Sequence, residues 1–409
     1  MPAKTPTESP ADDKAADEAA SVGAESATEK TSAGQSWWPA IRTGVAVWAT
    51  SYLAWAVVTL FTQFGRPPGK PVGVVDLIRA SWWQYDAKIF TRIAQDGYAT
   101  NPVDPAFFPL YPMLVRAADL VLPLGPKFTP VFVAGAAMLV MYVLLYRLAE
   151  VEFGRFVAIR ASWALAAWPV AFFLGIGYNE SLFIALMIGA IYAMRRGHWW
   201  VAGMIGGLAS ATRSVGLVMA VAFAYEYLRQ HGFKWRWNVL AIALVPSGLA
   251  AYMGYLWWRL GDPLIFMSAQ APWGRELSAP WTGFVKVIKV LGSQSLAENS
   301  TLHNLFDLIT VLAMIVLLTL CFVGPWKMRR DQWVMPLLGV ALLLFTISFP
   351  AGAHRNQALM SAPRFALEIF PAFLLLGHLK QLPVQVYAVV ALMLQGVMLA
   401  HMSGGGWVG

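Results

Sequence analysis

The sequence predicts an all-α polytopic membrane protein with about eleven transmembrane helices, each drawn from an apolar run that crosses or nearly crosses a ~30 Å hydrocarbon core. Three observations predict it. First, 58% of the 409 residues are hydrophobic and 13% charged, with a mean hydropathy of +0.56, whereas soluble domains carry roughly 25% charged residues. A folded soluble chain cannot hide that much apolar surface, so the excess faces lipid. Second, apolar runs recur along nearly the whole chain. Third, Lys and Arg cluster in alternate connections between those runs, as topology signals do.

The elements follow in order. Residues 1–36 are rich in Ala, Glu, Ser, Thr, Lys and Asp and nearly free of large apolar side chains. Such a segment cannot offset its ordering entropy by burial and is expected to be a disordered cytoplasmic tail. It lacks the basic start and apolar core of a signal peptide. Residues 37–409 form the membrane domain, with apolar runs near 41–63, 129–147, 157–176, 181–195, 199–212, 214–228, 238–259, 304–324, 332–349, 365–380 and 384–403. The short runs flanking Arg213 are counted as two helices, with one long helix or two re-entrant pieces as the alternatives.

With a cytoplasmic N-terminus, the short cytoplasmic connections carry Arg147 and Arg155, then Arg195 and Arg196, then Arg229, Lys234 and Arg236, then Lys327, Arg329 and Arg330, and finally Lys380. The opposite orientation would put every one of these clusters outside. Three features then fall on the exofacial side: a long first loop, 64–128, a second, 260–303, and polar turns around Glu180, Arg213 and His354-Arg355. Specific polar chemistry is expected there. The basic balance of +8 is spread over these loops and implies no nucleic-acid partner.

In the first exofacial loop, apolar positions 82, 85, 89, 90 and 93 keep a helical period. They predict an amphipathic helix in the membrane interface, with Asp86, Lys88 and Arg92 on its more polar sides. The Pro-flanked stretch Ala106–Pro112 leads into a second helix ending near Leu122.

The same loop carries Trp83-x-x-Asp86, Ile93-Ala94-x-x-Gly97-Tyr98 and Ala106-Phe107-Phe108-Pro109-Leu110-Tyr111-Pro112. In order and after a first helix, this resembles the PIG-V family, the second mannosyltransferases of GPI-anchor assembly and their bacterial relatives. Tyr178-x-Glu180-Ser181-Leu182-Phe183, then Gly207-Leu208-Ala209-Ser210-Ala211-Thr212-Arg213-Ser214, then Ser361-x-x-Arg364-Phe365 with Phe370-Pro371, are similar to its later motifs. Where the family carries Arg-Trp before the first-loop aspartate, this chain has Gln84-Tyr85. The resemblance implies a C-type glycosyltransferase fold, a polyprenyl-phosphate sugar as donor, exofacial chemistry with an acidic first-loop residue as base, and inversion at the anomeric carbon.

Transfer from a lipid-phosphate sugar needs a carboxylate to take the acceptor proton and cations to hold the leaving phosphate. Asp86 matches the family's acidic residue and is the expected base; otherwise it is a solvated loop aspartate. Arg213 interrupts an apolar stretch, and a cation at membrane depth needs a partner or a task. Phosphate binding, or pairing with Glu180 or Asp86, is expected for it, against snorkelling to the interface. Arg364 suits a bidentate phosphate clamp. Glu180 serves the substrate site or merely favours a helix N-terminus. Lys88 and Arg92 meet lipid headgroups or the donor phosphate, and His354 and Arg355 are candidate substrate contacts. Asp96 reads as ordinary turn chemistry, and Asp104 as an exposed turn residue or a second acidic group near the site.

The lone cysteine, Cys321, lies in an apolar run and offers neither a disulfide nor a metal site. Walker, His-Glu-x-x-His, Gly-x-Ser-x-Gly and Asp-x-Asp motifs are absent from the sequence. No cofactor is required on this reading, and a weakly held divalent cation is left open. The expected function is a plasma-membrane glycosyltransferase, mannose first, with glucose or a pentose as alternative donor sugars. Its partners are the polyprenyl-phosphate donor, a glycolipid, glycan or protein acceptor, and membrane lipids. A lipid-linked sugar flippase is the rival of another class, weakened by the lack of an internal repeat.

Overall fold

The computed structural model describes residues 36–62, 73–295, 298–352 and 357–408. The tail expected over 1–36 lies outside the described residues apart from Ser36. Among the described residues every regular element is helical, with seventeen α-helices and six 3-10 helices.

Four helices are long and apolar enough to cross a membrane: α1 (Trp38–Phe61), α5 (Thr129–Phe153), α13 (Asn299–Phe322) and α17 (Gln381–Ser403). A fifth span results if the 3-10 helix Trp237–Leu244 and α10 (Ser247–Leu260), which meet at 43°, are taken as one. The remaining predicted runs give shorter pieces. α7 (Glu180–Arg195), α8 (Trp199–Thr212) and α14 (Val334–Ser348) are single helices of 16, 14 and 15 residues.

Run 157–176 breaks after α6 (Arg155–Ala166) into the 3-10 helix Ala171–Leu174, and run 365–380 becomes α15 (Ala362–Ala366) and α16 (Phe370–Leu376). Pro169 and Pro371 stand at these breaks, where each lacks an N–H to extend a helical ladder. Irregular backbone at membrane depth survives only where protein covers it. That condition is met: residues 164–181 are buried throughout, and so are 366–377. The first break places Glu180, the second Arg364.

Around this irregular centre α5 packs against α1, α6 and α7, and α7 against α8. α17 lies at the periphery and turns Leu382, Met393 and Val397 outward, as a lipid-facing helix does. α8 and α10 cross closely at Gly207 and Gly248. A Cβ on Gly248 would fall 2.0 Å from the Gly207 carbonyl oxygen, so only glycine permits the approach that fixes the Arg213 end of α8.

The first loop forms three α-helices over its described part, α2 (Val74–Trp82), α3 (Asp86–Asp96) and α4 (Leu110–Val121), with the 3-10 helix Asp104–Ala106 between the last two. The single amphipathic helix expected across 82–93 is in fact two, parted at Trp83–Tyr85, with Asp86 as the first residue of the second. Ala87, Phe90, Ile93 and Ala94 make α3's buried side. Met113, Leu120 and Val121 leave an exposed apolar edge on α4, which fits an interfacial position.

Two charge clusters occupy the two ends of α7, about 24 Å apart at 1.5 Å per residue. At the Arg195 end the expected purely basic connections are balanced. Arg195 Nε donates to Glu152 Oε1 at 2.6 Å and its Nη1 lies 3.4 Å from Glu226, which also pairs with Arg229 at 2.6 Å. Glu152 and Glu226 are buried. Polar chemistry therefore gathers at both ends of the bundle.

Candidate active site

At the Glu180 end, five side chains from four separate parts of the sequence alternate in charge. Asp86 opens α3, and its Oδ2 lies 2.7 Å from Arg364 Nη1. Arg364 Nε donates in turn to Glu180 Oε1. The same oxygen accepts from Arg213 Nη1 at 3.0 Å, and Glu368 Oε1 lies 2.8 Å from that nitrogen. The last contact is an ion pair by distance without hydrogen-bond alignment, since Glu368 Oε1 accepts from no described donor. The order Asp86–Arg364–Glu180–Arg213–Glu368 thus joins α3, α15, α7, the end of α8 and the turn after α15.

Each position has a local cause. Asp86 and Glu180 stand in the first turns of their helices, where the partial positive end favours a carboxylate. Arg213 caps α8 in extended conformation, φ −156° and ψ 143°, which carries its side chain away from the helix. Asn179 braces this corner by donating to the Thr212 carbonyl at 3.2 Å. Arg364 also lies over the Tyr178 ring at 4.7 Å and the Phe173 ring at 5.4 Å, and cation–π attraction is strongest where water is excluded.

A cavity of about 1310 Å³ opens beside the network, lined by Asp86, Arg213, Arg364 and Glu368. One wall is aromatic, with Phe107, Phe108, Phe266, Trp273 and Phe349. Glu180 is fully buried and does not line it; one of its oxygens, Oε2, has no hydrogen-bond partner among the described residues. It stands behind the two arginines and holds both.

Of the sequence candidates, Asp86, Glu180, Arg213 and Arg364 come together. Lys88 and Arg92 do not. Lys88 is exposed, donates to Gln84 at 2.8 Å and faces the Trp83 ring. Arg92 pairs with Asp104, which is buried rather than an exposed turn residue. His354 and Arg355 lie outside the described residues. Among the described residues no group of three or more His, Cys, Asp or Glu side chains is arranged to hold a metal ion.

Sequence reading missed Glu368 and Arg275. Glu368 follows Arg364 by four residues, a helical neighbour spacing, and is the only carboxylate in the run 365–380; that signal was available. Arg275 lies in the second long loop and enters the cavity. Its guanidinium donates to the carbonyls of Phe349 at 3.1 Å and Met360 at 2.9 Å and faces the Phe365 ring. Among the described residues no carboxylate forms a salt bridge with it. Burial first, and then the cations of Arg213 and Arg364, pull its pKa down to about 10 against the opposing pull of Asp307. Unlike its two neighbours, it has no carboxylate in salt-bridge contact among the described residues.

Residues 72–235 match the family model described as Mannosyltransferase (PIG-V), a glycosyltransferase family, which bears out the resemblance carried by the first-loop, Glu180 and Arg213 motifs. The GPI alpha-1,6-mannosyltransferase 2 of Mus musculus is 30% identical over 162 residues, covering 37% of this chain and 33% of the relative. That of Rattus norvegicus gives the same figures. The chain thus spans about a third of the length of the curated relatives it matches. In fold it is similar to ArnT from Cupriavidus metallidurans bound to undecaprenyl phosphate, with a TM-score of 0.51, 14% identity, and coverage of 88% of this chain and 71% of that one.

Proposed function

We propose that this chain is a membrane glycosyltransferase that moves a sugar, mannose in the first instance, from a polyprenyl-phosphate donor to an acceptor hydroxyl on the exofacial side of the plasma membrane. The observation that carries the reading is a carboxylate, Asp86, and three guanidiniums around one cavity with an aromatic wall. The α-mannosyltransferase relatives support mannose, and the undecaprenyl phosphate held by a protein of similar fold supports the lipid.

In the proposed reaction the acceptor O–H gives its proton to Asp86 Oδ1, since Oδ2 is held by Arg364. The acceptor oxygen then bonds to the anomeric carbon as the bond from that carbon to the phosphate oxygen breaks. The leaving phosphate carries the electron pair away, and the arginines stabilise its charge. Arg213 and Arg364 are already engaged by carboxylates, so Arg275 has the most charge to offer. The aromatic wall takes the first prenyl units, and no resident cofactor is needed.

The test is transfer of labelled mannose from polyprenyl-phosphate mannose by purified protein in detergent. Transfer there excludes the flippase alternative, because no vectorial step exists in detergent; activity only with glucose or pentose donors would move the sugar assignment. Arg275→Gln should lower kcat/KM for the donor about 10–100-fold, the range of a lost charge-assisted hydrogen bond. Arg275→Lys should retain part of the activity, and the acceptor KM should stay unchanged. Donor kinetics equal to wild type would remove Arg275 from phosphate binding.

The topology proposed with this function has about eleven crossings, with the Lys234 connection cytoplasmic and the Asp262 loop exofacial. Both residues are exposed and Cys321 is buried. An impermeant maleimide should therefore label Lys234→Cys only in inside-out vesicles and Asp262→Cys only in right-side-out ones. The reverse pattern would invert the orientation.

A further inference from the structure

After Ser403 the chain does not leave the bundle. Gly405 takes φ +89°, a left-handed conformation that glycine adopts without strain, and the Gly406 N–H donates back to the His401 carbonyl at 3.0 Å. A Cβ on Gly406 would sit 2.1 Å from His401 Nε2. This glycine turn brings Trp407 to the cavity wall, and Val408 is buried in the main core beyond it. The segment is thus anchored on both sides of Trp407.

What Trp407 touches is specific. Its ring meets the Tyr85 ring edge-on at 4.8 Å and approaches the Phe173 ring at 6.1 Å. The Tyr85 hydroxyl donates to the Gly405 carbonyl. Tyr85 immediately precedes Asp86, and Phe173 lies under the Arg364 guanidinium.

Tyr85 has φ 46° and ψ −115°, and Ser361, three residues before Arg364, has φ 73°. Among the described residues they are the only non-glycine residues with positive φ. A bulky residue at positive φ is an outlier that persists only where its surroundings over-determine it. Among the described residues the non-glycine positive-φ backbone therefore falls beside the two partners of the Asp86–Arg364 pair, and the glycine turn with Trp407 is what grips the Tyr85 side chain.

We infer that the segment Gly404–Val408 is a positioning strap for Asp86, with Gly405 and Trp407 acting through Tyr85 to aim the carboxylate at the acceptor. The inference rests on the reading of Asp86 as the base of the proposed transfer. In the free chain the strap holds the corner Gln84–Asp86 from one side while the Tyr178 hydroxyl, donating to the Gln84 carbonyl at 3.3 Å, holds it from the other. Trp407 is a positioning residue: it acts on the carboxylate through Tyr85.

The test uses the full chain in detergent and two readouts. One is steady-state transfer, split into kcat and KM. The other is modification of Asp86 by a water-soluble carbodiimide, mapped by mass spectrometry with exposed Asp262 as reference. Trp407→Ala should lower kcat about 30-fold, at the scale of a misplaced catalytic group, with little change in either KM, and should raise labelling of Asp86 relative to Asp262. Tyr85→Phe keeps the ring and loses only the bond to Gly405; it should lower kcat about 3–10-fold, and the double variant should fall no further than Trp407→Ala. Trp407→Phe should recover most of the loss.

If Trp407→Ala does not fold, Tyr85→Phe alone decides. Wild-type kcat together with wild-type Asp86 labelling in Tyr85→Phe would overturn the strap. A raised KM with normal kcat in Trp407→Ala would also overturn it, by making Trp407 a substrate contact. Should the wild type transfer no sugar at all, the labelling still reports on the strap, so failure of the function and failure of the inference are separable.

Discussion

Asp86→Asn is expected to lower sugar transfer by about 10²–10⁴-fold, the range a positioned general base supplies, with the protein still monodisperse and its donor affinity close to wild type. Asparagine has the same shape and its amide oxygen still accepts from Arg364, so the pair that spans α3 and α15 survives as a neutral contact. Arg364 also keeps Glu180. What is lost is the anion able to take a proton from the acceptor. The effect should therefore fall on kcat rather than on donor KM, since the cations around the leaving phosphate are untouched. Asp86→Glu should recover little, because one added methylene in the first turn of α3 moves the carboxylate out of reach of the same acceptor atom. Full activity in Asp86→Asn would end the base assignment and transfer it to Glu368, the other carboxylate of the network that lines the cavity.

How much of this site was legible depends on what sequence patterns measure. Arg213 stood out because a charge within apolar sequence is costly in a bilayer and needs a partner, and Glu180 and Arg364 because they stand in segments similar to motifs of the PIG-V family. The structure supplies that partner by pairing them with one another. Lys88 and Arg92 were grouped with Asp86 as residues on the more polar sides of one amphipathic helix. At about 100° per residue they lie about 200° and 240° around α3 from Asp86, on the opposite face, and the structure places them outside the cavity accordingly. Arg275 and Trp407 reach the site by tertiary folding from segments with no periodic pattern, and nothing local announces them.

The helices were legible to the same physical limit. Thr129–Phe153 and Gln381–Ser403 follow their apolar runs because a straight lipid-crossing helix and a hydropathy average report one property. Residues 164–176 also form an apolar run yet are broken, because burial inside the protein satisfies an apolar average as well as lipid does. Pro169 marks the break, but proline is also tolerated in continuous membrane helices. Composition could not tell these cases apart.

Glu180→Gln is expected to be the most damaging substitution for the fold of the site. Its carboxylate is fully buried and Arg213 and Arg364 converge on a single oxygen of it. Glutamine fills the same space and its carbonyl oxygen can still accept from both arginines, with its NH₂ in the place of the unpartnered Oε2, but it removes the negative charge from between two cations. Breaking a buried ion pair from one side costs about 3–5 kcal/mol, because the partner charge is left desolvated and uncompensated. Here two partners remain, each with a second carboxylate to fall back on, Glu368 for Arg213 and Asp86 for Arg364. The stability loss should therefore lie toward the lower end, ~3 kcal/mol, read as a fall in the thermal midpoint in detergent. Transfer should fall by at least about 100-fold, since Arg364 drawn wholly onto Asp86 would leave both the base and the phosphate cations out of register. Glu180→Gln combined with Arg213→Met should regain part of the lost stability, because it removes one stranded cation, and none of the activity. A pair of single and double variants that add without coupling would show that Glu180 and Arg213 act independently, and the alternating network would then be a set of neighbours rather than one device.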